Sequence, residues 1–377
     1  MKGKQGLVCM GLLLVLSSCH TGKQITASGL QRKDFQTEVN GQHTDLFTLS
    51  NKQGMEVCIT NYGARVVSIL VPDRNGKRED VVCGFSTITE YMEQRQNFGS
   101  TVGRYIGRIL NARFTLDGVE YKLVPNNGKS GHISHGGNPG FADRIWKVEQ
   151  ADTHRACLSY LSPDGENGFP GNLKVTLVYS LGEDDNALDL TYEATTDAPT
   201  VLNLSHHSFF NISGNFTKSV EDQQLWVDAD RFTPYDDKKC VTGEYLQVAG
   251  TPLDFRMPHA IGECIDADHP QLKVVNGYDH TWELNTKGDD TRPAAWVYDP
   301  ASGRKMEIFT TEPGMQIYTG NGLKGKMTGK GGIAYPFRSA VCFETMHFQD
   351  SPNQPGFPST VLRPGEVFRS HTVYKFE

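Results

Sequence analysis

The sequence predicts an all-β protein, a large antiparallel β-sandwich, and three observations carry that expectation. Its apolar runs are short and strand-like: Val57-Cys58-Ile59-Thr60, Ala64 to Val71, Val81-Val82-Cys83, Arg113 to Leu123, Leu173 to Leu181 and Leu188 to Ala194. Turn-forming residues separate them, at Asp73-Arg74-Asn75-Gly76, Asp117-Gly118, Asp164-Gly165-Glu166-Asn167-Gly168 and Ser302-Gly303, because Gly, Asn and Asp accept the backbone conformations of a tight reversal. Helical periodicity is confined to Thr87 to Gln94, where Thr87 or Thr89 would cap one short helix.

The chain of 377 residues shows no internal repeat, low-complexity tract or interior linker, so residues 46–377 are expected to form one large domain. Ahead of it, Lys2 and Lys4 precede an apolar run, Gly6 to Leu16, too short to span a bilayer and suited to an export signal. The following Leu16-Ser17-Ser18-Cys19 resembles a bacterial lipoprotein processing site, in which the cysteine carries lipid. Residues 1–18 are therefore expected as a lipoprotein signal peptide, and residues 19–45 as lipidated Cys19 with a polar tether. This implies a lipid-anchored, periplasmic protein of the bacterial cell envelope, whose membrane contact is the lipid on Cys19.

A net charge of −7 and the lack of any Lys/Arg run exclude a general nucleic-acid binder, which needs a basic patch or stripe. Six cysteines remain after Cys9 and Cys19, none in a CxxC pair, so zinc-ribbon and thioredoxin-like readings have no support. Buried free thiols are the simpler expectation. No P-loop, GxSxG or HExxH motif is present, and the histidines lack close ligand spacing.

Two polar residues stand in apolar strand-like runs. His207 lies in Asn203-Leu204-Ser205-His206-His207-Ser208-Phe209-Phe210, where strand alternation sends His206 and His207 to opposite faces. Glu344 lies in Val341-Cys342-Phe343-Glu344-Thr345, a costly place for a carboxylate unless it is paired or used. An imidazole and a buried carboxylate make an acid and a base, although a lone His is more often structural and a buried Glu is as often half of a salt bridge. Asp279 and His135 sit beside glycines and aromatics, suited equally to ligand approach and to turn chemistry. Gly103-Arg104-Tyr105-Ile106-Gly107-Arg108 lacks the third glycine and following helix of a dinucleotide loop; its arginine forks are suited to hydroxyls or a carboxylate.

Together these residues fall into blocks whose order resembles the aldose 1-epimerase (galactose mutarotase) family over roughly Leu46 to Glu377. The blocks include Asn61-Tyr62-Gly63-Ala64, Gly103-Arg104-Tyr105, His135-Gly136-Gly137, Gly168-Phe169-Pro170-Gly171, Gly277-Tyr278-Asp279-His280, Pro313-Gly314-Met315-Gln316 and Leu362-Arg363-Pro364-Gly365-Glu366. The resemblance implies a large antiparallel β-sandwich and interconversion of the α and β anomers of hexoses such as galactose or glucose. It implies His207 as proton donor, Glu344 as proton acceptor, and Arg108, His135, Asp279 and Gln316 as sugar contacts, with no cofactor or metal. A small monosaccharide is then the partner; the oligomeric state is not implied.

Five positions depart from the family pattern. Gly107 stands where asparagine is common, Ser134 where leucine precedes His-Gly-Gly, His206 where asparagine precedes the histidine, Phe209 where tyrosine often follows, and Met346 where glutamine is frequent. The alternative function is a non-catalytic carbohydrate-binding lipoprotein on the same fold. Retention of both His207 and Glu344 argues against it. Epimerisation of a phosphorylated sugar would call for further basic residues at the pocket, and none is evident.

Overall fold

In the strand Leu173–Leu181, inward and outward residues alternate from end to end, the pattern of a sheet with one face on a core. The computed structural model describes residues 24–377. That strand lies in a nine-stranded antiparallel sheet running from Lys147–Ala151 at one edge, through Arg155–Ser162, Leu173–Leu181, Ala187–Thr196 and Phe368–Phe376, to His259–Ala260 at the other. A six-stranded antiparallel sheet orders Phe209–Phe210, Val341–Met346, Gly314–Tyr318, Asp279–Glu283, Arg231–Thr233 and Leu246–Gln247. A four-stranded meander holds Leu46–Ser50, Glu56–Thr60, Arg65–Pro72 and Arg78–Asp80. The expected sandwich is the observed architecture.

One core joins the three sheets, with Val57 and Ile69 from the meander, Leu177 and Leu190 from the large sheet, and Ile317 and Phe343 from the six-stranded one. A second, containing Phe35, Cys58, Val67, Phe98 and Cys342, packs on the other side of the meander and the six-stranded sheet. Glu56–Thr60 and Arg65–Pro72 are therefore buried on both faces. Their period-2 register divides neighbours between the cores, so Val57 faces one and Cys58 the other.

The helix expected at Thr87 to Gln94 forms over Ile88–Gln94, with Thr87 as N-cap in a reciprocal capping box with Glu90. A second short helix, Pro270–Val275, starts on a proline after a His269 cap, a signal the apolar pattern alone does not reveal. Val81-Val82-Cys83 is not a strand; it contributes an isolated bridge from Val82 to Phe210 beyond the strand Arg78–Asp80. Arg113 to Leu123 divides at Asp117-Gly118 into a hairpin. All six described cysteines are free, with Cys58, Cys83 and Cys342 buried and Cys157, Cys240 and Cys264 partly exposed.

The tether expected over residues 19–45 is corrected from residue 24 onward. Leu30 and Phe35 are buried in the second core, and the amides of Ala27 and Ser28 donate to the Glu56 carboxylate at 2.7 and 3.2 Å. Polar composition concealed this because two apolar side chains and a few backbone hydrogen bonds suffice to hold a short segment against a preformed sheet. The expected signal peptide and lipidated Cys19 lie outside the described residues.

The two arginines of Gly103 to Arg108 separate in function. Arg104 is buried and donates to the carbonyls of Ser162, Pro163 and Pro170 and to the Ser162 hydroxyl at 2.7–3.0 Å. Burial lowers its pKa to about 10, with Glu166 opposing the shift. Replacing it with methionine keeps the bulk but strips three carbonyls of their donor. Arg104→Met is expected to cost about 3–5 kcal/mol of stability, the range for breaking a buried charged network, measured by urea unfolding against the parent protein.

Candidate active site

Three neighbouring strands of the six-stranded sheet place the polar residues in two rows. Antiparallel register sets Thr281 opposite Gln316 and Gln316 opposite Glu344, and in the adjacent row Asp279 opposite Tyr318 and Tyr318 opposite Cys342. Residues two apart share a face, so both rows point away from Phe343 and Ile317. The Thr281 hydroxyl donates to Gln316 Oε1 at 2.5 Å, and Gln316 Nε2 donates to Asp279 Oδ1 at 2.6 Å. Side-chain amide and carboxylate are thereby held in one orientation.

His207 reaches this face from the sheet edge. Ser205–His207 pairs with Ser100–Val102, and Phe209–Phe210 then pairs with Val341 and Cys342. Continuing that register by two residues brings His207 opposite Glu344, and its Nε2 lies 3.3 Å from Glu344 Oε1. The imidazole stacks on Phe209 with ring centroids 5.1 Å apart. His206 points the other way, bonded to the Ser208 hydroxyl at 2.6 Å and set beside Tyr179 and Tyr374.

Arg108 and His135 come from a small antiparallel pair in which Ser134 faces Arg108. His135 holds a left-handed φ of 52° and leads into Gly136, where an added Cβ would fall 1.9 Å from the Gly103 carbonyl oxygen; only glycine fits there. The Gly107 amide donates to His135 Nδ1 at 3.4 Å, leaving Nε2 to carry the proton of the neutral ring. His135 lies edge-on to His207, ring centroids 5.5 Å apart. At Gly107 a Cβ would stand 2.5 Å from Gln349 Cγ, so Gln349 occupies the space a larger residue there would need.

The six residues expected to touch sugar, Arg108, His135, His207, Asp279, Gln316 and Glu344, line one cavity of about 250 Å3. Of the five departures, Gly107, Ser134, Phe209 and Met346 also line it, whereas His206 does not. Sequence reasoning missed Asn97 and Gln349. Gln349 ties the wall together, accepting from the Arg108 amide at 3.3 Å and donating to Tyr235 at 2.7 Å and Gln316 at 3.3 Å. Its signal was a buried polar residue shortly after Glu344, visible only once the strand end is placed.

Burial governs the electrostatics. It pushes the Glu344 carboxyl well above the ordinary range, with the charge of Asp279 adding to the shift. Desolvation, then His135, drives the His207 imidazole well below its usual value. The pair holds one mobile proton, and both arrangements, imidazole with carboxylic acid or imidazolium with carboxylate, are net neutral. Desolvation and then Arg108 lower His135 to about 4, so it is a neutral Nε2–H donor near pH 7. His207, Cys342 and Glu344 bring donor atoms within 4.8 Å of one another, but burial raises the Cys342 thiol well above its ordinary range, which disfavours the thiolate a metal requires.

His206 and His280, both fully desolvated, have pKa values lowered to about 3. Between pH 6.5 and 3 the unfolded chain therefore binds protons that the folded protein refuses. The stability these groups contribute is present above their unfolded pKa and is lost as pH falls. Their share of the unfolding free energy is expected to fall below pH 6.5 by up to about 1.4 kcal/mol per pH unit for each group, whereas the raised Glu344 carboxyl gains stability over part of the same range. His206→Gln is expected to flatten the fall of unfolding free energy between pH 6.5 and 4, and a slope unchanged from the parent protein would contradict neutral burial of that ring.

Comparisons with known proteins show the family. The profile of the family described as Aldose 1-epimerase matches residues 45–375. Galactose mutarotase of Bos taurus is 40% identical over 331 residues, covering 88% of this chain and 93% of that protein. Aldose 1-epimerase of Escherichia coli K12 is 36% identical over 339 residues, covering 89% and 96%. The crystal structure of an aldose epimerase homologue from C. elegans superposes with a TM-score of 0.81 at 30% identity, over 89% of this chain and 99% of that one. Galactose 1-epimerase from Lactobacillus acidophilus gives 0.78 at 28%, over 90% and 96%. The chain belongs to the aldose 1-epimerase family.

Proposed function

We propose that this aldose 1-epimerase interconverts the α and β anomers of free hexoses such as galactose and glucose, with Glu344 and His207 as its base and acid. The observation that carries the reading is the 3.3 Å approach of the two side chains on a wall lined by hydroxyl-binding groups. Ring opening needs a proton taken from the anomeric O1 and another given to the ring oxygen O5. Glu344 as carboxylate accepts the O1 proton while His207 as imidazolium donates to O5, and the C1–O5 bond breaks to the aldehyde. Rotation about C1–C2 exposes the other carbonyl face. Closure returns the proton on Glu344 to O1 and takes the O5 proton back to His207, so the pair ends as it began. Polar groups of a bound sugar replace solvation that burial removed and favour the ion pair over the neutral one. His135 Nε2–H is placed to stabilise charge on oxygen, and Arg108, Asp279 and Gln316 to hold the remaining hydroxyls. Polarimetry of freshly dissolved α-D-galactose and α-D-glucose tests this directly: acceleration by the protein supports it, and a folded protein that accelerates neither sugar overturns it.

The same reading includes the N-terminus. Lys2, Lys4, the apolar run to Leu16 and Leu16-Ser17-Ser18-Cys19 support a signal peptide and a lipid on Cys19, placing the domain on the periplasmic side of the cell envelope. There it would act on sugars released by hydrolysis. Cys19→Ser is expected to abolish labelled-lipid incorporation and move the protein from membrane to soluble fractions; unchanged membrane partition would contradict the anchor.

A further inference from the structure

Gly107 and Gln349 contend for one volume in the wall of the catalytic cavity, which both line. Gly107 holds a left-handed φ of 75°. A Cβ built on it would fall 2.5 Å from Gln349 Cγ and 3.1 Å from Cδ, so any side chain there would enter the space of the Gln349 carboxamide. Asparagine, which the family pattern has at this position, is the residue besides glycine that most readily accepts such a backbone conformation, and it would bring a carboxamide of its own. Here the amide comes instead from the segment that follows Glu344. That segment is fixed to Arg108 twice: the Asp350 amide donates to the Arg108 carbonyl at 2.8 Å, and the Arg108 amide donates to Gln349 Oε1 at 3.3 Å.

The donors of Gln349 are spent and its acceptor is not. Its two amide hydrogens go to the Tyr235 hydroxyl at 2.7 Å and to Gln316 Oε1 at 3.3 Å, whereas Oε1 receives the Arg108 amide and keeps a second lone pair. A carboxamide in that state accepts a hydrogen bond and cannot donate one. Resting on the reading of Glu344 and His207 as base and acid, we infer that Gln349 is a substrate-binding residue whose Oε1 accepts from one hydroxyl of the bound aldose other than O1, and that it stands in for an amide at position 107. The group is kept while its carrier is exchanged. A fixed acceptor requires a hydroxyl at one ring position, because an aldose lacking it leaves a buried acceptor unpaired.

Mutarotation of α-D-glucose and of its 2-, 3-, 4- and 6-deoxy analogues, each measured against its own uncatalysed rate, tests the contact. Gln349→Met fills the same volume without an acceptor. It is expected to lower kcat/KM about tenfold for glucose and for three of the analogues, and by less than about twofold for the fourth, which already lacks the partner hydroxyl. Gly107→Asn alone is expected to lose activity by collision with Gln349. Combined with Gln349→Ala, whose Cβ would stand 3.4 Å from the new one, it is expected to regain most of what Gln349→Ala loses. A brace that only holds Arg108, Tyr235 and Gln316 in place predicts otherwise: a loss spread evenly over all four analogues, or a double variant no more active than Gln349→Ala, would each overturn the assignment. A folded parent protein that accelerates none of these sugars would instead overturn the acid and base reading, and the contact with it.

Discussion

Glu344→Gln is expected to lower kcat for mutarotation by on the order of 10²–10⁴-fold, the usual weight of a positioned proton-transfer group, while folding is unimpaired or improved. The substitution keeps the shape and removes the base. It also removes an ionisable group that burial and Asp279 both drive toward its neutral form, so the amide relieves a desolvation cost. A structural salt bridge predicts the reverse: loss of the carboxylate would leave His207 poorly supported and the thermal midpoint lower. Polarimetry and thermal melting of the same sample separate the two cases. Near-parental acceleration in folded Glu344→Gln protein would remove Glu344 from the mechanism.

His207→Asn is expected to give a loss of similar size, with KM changing far less than kcat, because asparagine can hydrogen-bond to O5 but has no proton to release at neutral pH. It also forfeits the stacking on Phe209, worth about 0.5–1.5 kcal/mol, so a small drop in melting temperature accompanies it. The Glu344→Gln, His207→Asn double variant should be little worse than the poorer single one, since two groups acting in one proton cycle do not contribute additively. A double variant whose losses multiply would mean that the two act in independent steps.

Chemistry was more legible in the sequence than placement. Glu344 betrayed itself as a carboxylate inside an apolar strand, and that anomaly is local. What sets it opposite His207 is the pairing of Phe209 with Cys342, a choice between strands far apart in sequence that no local pattern contains. The run from Ser205 to Phe210 also reads as one regular strand, yet it pairs first with Ser100–Val102 and then with the edge of the six-stranded sheet. Arg104 and Arg108 carry the same side chain four residues apart. Only the surroundings make one a buried brace for Ser162, Pro163 and Pro170 and the other a wall of the pocket. Phe35 shows the converse error: one aromatic in a polar stretch reads as incidental, although it is fully buried.

The packing of Leu30 and Phe35 has a bearing on the membrane. A tether reaching to residue 45 would let the domain wander through a large volume above the lipid. Gln24 already accepts a hydrogen bond from the Arg32 amide at 3.0 Å, and five peptide steps separate it from Cys19, a reach of at most about 18 Å. With the proposed lipid in place, the domain would ride low on the bilayer like a boat on a short mooring. Its pocket would meet arriving sugars within one molecular diameter or so of the lipid surface rather than far above it.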